Sequence, residues 1–164
     1  MLSLTNLPFN RSRSLTMALA GVLMVAPAIA TRHAAAQQQL SDDMPIFKEY
    51  RGVQLGMPAD EARKKLGNPT NKADDQEFFI FNDKETVQLI YDKDHKVVTI
   101  SADFQTGAKD IPTPKIMFGA DIAPKTDGSQ YRMVRYPKAG CWVSYSKTAG
   151  DTPLTSIVLN KIEF

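Results

Sequence analysis

The run from Gly52 to Pro69, GVQLGMPADEARKKLGNP, marks both ends of one short helix and so dictates what must surround it. Pro58 has the fixed φ of a first helical turn, and Asp60 and Glu61 follow, where acidic groups meet the positive end of the helix dipole. Lys64 and Lys65 fill the last turn, Gly67 supplies a left-handed stop, and Pro69 forbids a restart. The helix therefore spans about 58–66. Asp60 with Lys64 and Glu61 with Lys65 are spaced i, i+4 in the favourable order, which adds roughly 0.2–0.5 kcal/mol per exposed pair. Its apolar side is narrow, Ala62 and Leu66 with Leu55 and Met57 just ahead. An isolated helix below ~12–15 residues is marginal in water. This one requires a sheet to lie on.

Beyond Pro69 the hydrophobic period changes from helical to two. Residues 76–81, 86–91 and 96–104 read as strands separated by the polar turns 82–84 and 92–95. Links this short make neighbouring strands antiparallel. A break rich in Gly and Pro at 107–114 precedes three further strands, 131–136, 141–147 and 154–162. Upstream, 37–50 reads as a polar leader followed by a short helix, with Ser41 as cap, Asp42 and Asp43 in its first turn, and Ile46, Phe47 and Tyr50 at helical spacing. The expected fold is α+β, short N-terminal helices packed on one face of an antiparallel sheet of about six strands. Leu66-Gly67 recurs as Phe118-Gly119, Gln76 as Gln130 and Tyr91 as Tyr145, at nearly constant shift. That pattern suggests a degenerate tandem repeat with halves 52–104 and 112–164.

The first 36 residues read as an address. Arg11 and Arg13 form a basic region, 15–30 carries no charge, and small residues at 28–30 or 34–36 offer cleavage after Ala30 or Ala36. The competing reading is a membrane anchor, but the uncharged run contains Gly21 and Pro27 and falls short of the ~20 residues needed to span. A secretory signal peptide is expected over 1–36, then a single domain over 37–164, exported to the periplasm or beyond the cell, with no transmembrane segment after cleavage. Three of the 20 Lys and Arg precede Gln37, and all 18 Asp and Glu follow it. The mature chain is thus nearly neutral, without the basic stripe that nucleic-acid binding needs. Cys141 is the only cysteine, so no intramolecular disulfide or cysteine-based metal cluster can form. An unpaired cysteine in an exported chain is either a reactive thiol, a dimer link or a small buried hydrophobe, and its place in the strand pattern 141–145 predicts burial.

Catalysis finds little to stand on, with His95 the one residual candidate. Of two histidines, His33 falls in the leader and His95 in the 92–96 turn, where it lacks an evident partner. Asp92-Lys93-Asp94 starts like a calcium loop but lacks its Gly and closing Glu, and no glycine-rich phosphate loop occurs. The sequence gives no reason to expect a catalytic set, a metal or a cofactor. Alternation sends Val87, Leu89, Tyr91, Cys141, Val143 and Tyr145 to a core face, leaving Thr86, Gln88, Thr99, Ser101, Ser144 and Ser146 on the other with Trp142. A Trp among Ser and Thr serves either as a partner-binding anchor, bordered by Arg132 or Arg135, or as a residue covered by the chain itself.

The run G-x-x-L-G-M-P-A-D-E-A-R-K-K-L-G-N-P resembles the signature of the SmpA/OmlA family of small outer-membrane lipoproteins, in which G-M-S-x-x-x-V-x-x-x-L-G-x-P precedes an antiparallel sheet. Phe79-Ile80-Phe81, 87–92 and 96–100 are similar to that family's strand blocks, so the likeness covers roughly 52–101. With the second half included, the chain is similar to the two-copy arrangement of the β-lactamase-inhibitor-protein type. Pro58 stands where that signature has Ser, Ala62 where it has a larger apolar residue, and no lipidation Cys is present. The resemblance implies helices on one face of an antiparallel sheet whose free face or edge binds another protein, and it carries no catalytic residue. The expected function is an exported, non-enzymatic module that binds a protein or envelope component. The alternative is a small-ligand carrier or enzyme with a pocket between helix and sheet, where Arg132, Arg135 and Asp103 converge.

Overall fold

In the computed structural model, residues 44–162 are described, and the expected signal peptide, His33 and the Ser41 cap lie outside them. Two short strands come first, β1 (Glu49–Tyr50) and β2 (Val53–Gln54). Tyr50 pairs with Val53 across a two-residue loop in which Arg51 and Gly52 both have positive φ, the geometry of a tight hairpin that follows strand twist. The helix expected before Gly52 is therefore replaced by a hairpin. Its helical spacing was carried by Ile46, Phe47 and Tyr50, but the turn at 51–52 draws Tyr50 into a strand, and Ile46 is exposed.

Helix α1 (Ala59–Leu66) follows, with Pro58 as its extended N-cap rather than its first helical residue. Pro58 makes no side-chain cap, so the turn at 92–95 supplies one: the Ala59 N–H donates to the His95 carbonyl at 2.9 Å. Just ahead of Pro58, the Gly56 N–H donates to Val97 O at 2.7 Å and Val97 N–H to Met57 O at 2.9 Å. The Gly-Met-Pro run thus straps the helix start to the sheet. Gly67, at φ +89°, ends the helix with its N–H on Arg63 O.

The main sheet has seven strands in the order β3-β4-β5-β6-β9-β8-β7, all antiparallel. These are β3 (Asn71–Lys72), β4 (Gln76–Asn82), β5 (Glu85–Tyr91), β6 (Val97–Phe104), β7 (Gln130–Tyr136), β8 (Cys141–Lys147) and β9 (Thr155–Lys161). The six long strands fall where the period-two runs place them, and β3 is an added edge too short to show periodicity. Between β6 and β7 lies α2 (Pro114–Phe118), capped by Thr113 and stopped by Gly119 in the left-handed conformation. The two three-strand meanders meet along β6 and β9, their last strands.

Alternation sorts the strands' side chains. Phe79, Val87, Leu89, Ile100, Phe104, Val143, Ile157 and Leu159 are buried in one core with Tyr50, Val53, Ala62, Leu66, Met117 and Phe118. The hairpin and both helices hence contribute their buried residues to the same side of the sheet. Cys141 lies in this core as a free thiol, and burial pushes its pKa up.

Candidate functional site

On the opposite side, strand register lines residues up in rows. One row runs Ile90, Thr99, Asn160, Trp142, Arg135, and the next runs Phe78, Gln88, Ser101, Val158, Ser144, Met133. A third runs Ile80, Thr86, Asp103, Ser156, Ser146, Tyr131. The centre of this face is polar and its flanks are apolar, with Ile80, Tyr131 and Met133 all exposed. Trp142 is half-buried and lines a depression of about 450 Å³ with Ile90, Val98, Thr99, Asn160 and Arg135. The floor is held in place by its own hydrogen bonds: Thr99 Oγ1 donates to Asn160 Oδ1 at 2.6 Å, and Asn160 Nδ2 donates to Lys161 O at 2.7 Å. What remains available is an indole beside the aliphatic side chains of Ile90, Val98 and Ile162, with Lys161 and the exposed Arg135 as cations bordering it.

Of the three residues expected at the binding face, the structure brings two together. Arg135 is the direct cross-strand neighbour of Trp142. Arg132 is not on this face. It pairs with Tyr145 on the core side and holds its guanidinium 5.1 Å from the centre of the Phe118 ring, a cation–π contact. The alternative pocket is not formed by its expected residues either, because Asp103 accepts from the Ser156 hydroxyl on the open face, at the other end of the strands from Arg135. His95 is exposed in its turn, and its carbonyl caps α1. Among the described residues, no three of His, Cys, Asp and Glu are grouped to hold a metal ion. No helix among them is long and apolar enough to cross a membrane.

Two buried carboxylates stand out that the sequence reading does not single out. Glu77 is 1% exposed and accepts from the Tyr91 hydroxyl at 2.8 Å, while Arg63 of α1 donates from Nε at 2.8 Å. Glu85 accepts from the Tyr50 hydroxyl at 2.5 Å and takes Arg51 Nε and Nη2 at 2.7 and 2.8 Å. Each is a Glu held between a Tyr hydroxyl and an Arg fork. One ties α1 to the sheet, and the other ties down the β1–β2 hairpin. Arg51 reaches Glu85 from the hairpin turn while its side chain stays 44% exposed, and its guanidinium also lies 4.1 Å from the centre of the Phe81 ring. The signal was present in the alternation, since Glu77 is in phase with Phe79 and Glu85 with Val87 and Leu89. An acid at a core-facing position demands a partner.

Beside the second trio is a cleft of about 600 Å³, bordered by Arg51, Lys84, Glu85, Lys109 and Asp110. The same Tyr-Glu-Arg arrangement occurs at Glu77, so its chemistry is explained by bracing without reference to that cleft. Burial, followed by the hydrogen bond to its Glu, holds each of Tyr50 and Tyr91 well above the ordinary tyrosine value. A folded pKa raised above the unfolded value of about 10 means that the associated stability is complete below that pH and is lost as pH rises past it. In an ultraviolet titration, Tyr50 and Tyr91 should therefore ionise only together with alkaline unfolding. The Tyr50→Phe/Tyr91→Phe variant should lose those two protons from the unfolding step. Ionisation of every tyrosine near pH ~10 with the fold intact would contradict the buried placement.

Comparison of the chain with protein-family models, curated proteins and solved structures finds no match.

Proposed function

We propose that this is an exported, non-enzymatic binding module of the SmpA/OmlA-like kind, which docks a protein or envelope component on the open sheet face around Trp142. The observation that carries the reading is the depression at Trp142, where an aromatic side chain, Ile90 and Val98 sit on a hydrogen-bonded polar floor with Arg135 at the rim. Such a setting suits an apolar partner side chain followed by a carboxylate. The 1–36 leader supports export, and the Gly-Met-Pro strap gives the family-like motif a physical task. Short helices on one face and two meanders meeting at their last strands further support a tandem unit of helix followed by three strands, the architecture that the resemblance implies.

Trp142→Ala should leave the fold intact, because the indole is outside the core, and should weaken partner binding by at least ~2 kcal/mol, the size of a hot spot. The measurement is capture of envelope components on immobilised wild type and variant, with affinity then determined for what is captured. Equal capture by both, or an unfolded variant, would remove the Trp142 face from the function. The cleft at Arg51 and Glu85 favours a second reading, a carrier of a small anionic ligand, since among the described residues Lys84 and Lys109 border it against the single unpaired acid Asp110 while Arg51 is matched by Glu85. Under that reading Lys84→Ala abolishes ligand uptake and Trp142→Ala has no effect.

A further inference from the structure

The two edges of the seven-stranded sheet are treated very differently by the sequence. At one edge, residues 70–73 close off β4: Thr70 N–H donates to Phe78 O at 2.7 Å, Thr70 Oγ1 accepts from Ile80 N–H at 3.2 Å, and Ala73 N–H donates to Gln76 O at 2.8 Å. The closing strand β3 is only two residues long and carries Lys72, and β4 has a register shift between Ile80 and Asn82. Short length, lysine and irregularity are the usual protections of an edge.

The other edge, β7, is long, regular and free of lysine, and its only charges are Arg132 and Arg135. Its seven residues, QYRMVRY, contain no Lys, Pro, Asp or Glu, and its register with β8 runs unbroken from Gln130 to Tyr136. Among the described residues, β7 pairs with β8 alone, and no other backbone hydrogen bond involves 131–135. Alternate residues Tyr131 and Met133 are 53% and 46% exposed. A row of free backbone donors and acceptors lined with large side chains is a template for another strand.

We propose that β7 pairs antiparallel with β7 of a second copy of this chain, about a twofold axis at Met133. The strand's own composition selects this partner and this register. Met133 is the midpoint of β7, so pairing about it uses the whole edge, and Pro137 blocks extension beyond Tyr136. On the open face this sets Met133 against itself and Tyr131 of each copy against Arg135 of the other, a cation–π pair. On the core face it sets Arg132 against Val134. No like charges meet, whereas a centre at Arg132 would oppose two guanidinium groups. The nearly neutral charge of residues 37–164 adds no general repulsion. The symmetric interface joins two open faces into one surface; it shares Arg135 with the rim of the Trp142 depression, but the strand pairing itself does not require that depression to be filled.

The test is sedimentation velocity over a wide concentration range, on protein produced from the full 164-residue sequence. Wild type should shift from one to two chain masses as concentration rises. Met133→Lys and Met133→Glu should each weaken that dimer at least tenfold with unchanged melting temperature, since Met133 is exposed, and an equimolar mixture of the two should restore it. Should either Met133 variant fail to fold, Tyr131 decides: Tyr131→Lys faces Arg135 of the other copy and should weaken the dimer, while Tyr131→Glu should keep or strengthen it. A wild type that stays a single chain at every concentration, Met133 variants that dimerise like wild type, or a mixture that stays monomeric would each overturn the pairing. A partner captured at Trp142 by a monomeric protein would leave the binding-module reading intact and this one refuted.

Discussion

Arg63→Met should lower unfolding free energy by about 3–5 kcal/mol, more than any surface substitution of comparable size, because it strands a carboxylate in the core. Glu77 is 1% exposed, and Arg63 provides a two-nitrogen fork at 2.6 and 2.8 Å. After the change, among the described residues only the Tyr91 hydroxyl remains at hydrogen-bond distance, with Lys72 at 3.9 Å. The side chain of Met fills much of the space of the Arg stem, so the loss reports charge rather than volume. Adding Glu77→Gln removes the stranded charge and keeps an acceptor for Tyr91, and the double variant should recover most of the stability. Chemical denaturation of the wild type and the two variants measures this directly. If Arg63→Met alone is as stable as wild type, Glu77 is reached by water and the brace between α1 and the sheet contributes nothing.

Phe104→Ala should cost about 3–5 kcal/mol, the usual range for removing a fully buried aromatic ring. Phe104 is 1% exposed, pairs with Glu85 and Thr155 across its two neighbouring strands, and meets the Tyr50 ring edge-on at 5.9 Å. The effect should exceed simple cavity formation in one respect. With the ring gone, Tyr50 loses the surface that holds its hydroxyl on Glu85, so its ionisation should fall back toward pH ~10 as the melting temperature drops. A lowered melting temperature with Tyr50 still protonated at high pH would show that Glu85 and Arg51 hold the hairpin without Phe104.

How much of this was legible before the structure depends on the element. The six long strands were, because one buried face writes a period of two into each of them, and Val87, Leu89 and Tyr91 show it in sequence order. The helix over 59–66 was, because its ends are chemical: acids at the start, lysines and Gly67 at the finish. Residues 46–50 misled because three apolar residues at helical spacing are too few to outweigh the Arg51-Gly52 turn, whose positive φ at an arginine is not written in the sequence. β3 could not be seen, since a two-residue edge has no period.

The candidate site was half legible. Trp142 on the face opposite Val143 and Tyr145 follows from alternation alone. Arg132 and Arg135 are three residues apart in one strand, so they must project to opposite faces, and only register with β8 says which of them joins Trp142. Glu77 and Glu85 were readable in phase, but their partners Arg63, Tyr91, Tyr50 and Arg51 are brought up by tertiary structure, at separations of 14 to 35 residues.

The junction between β6 and β9 has a further meaning for how the chain finds this arrangement. The strand contacts within each meander close short loops, whereas Thr99 and Asn160, hydrogen-bonded across the junction, are 61 residues apart. Loop-closure entropy grows only as the logarithm of loop length, but it must be met before distant contacts return anything. Local pairing within each meander is therefore expected to be the fast process, and the docking of one meander on the other, which contributes the long-range contacts, the slower one.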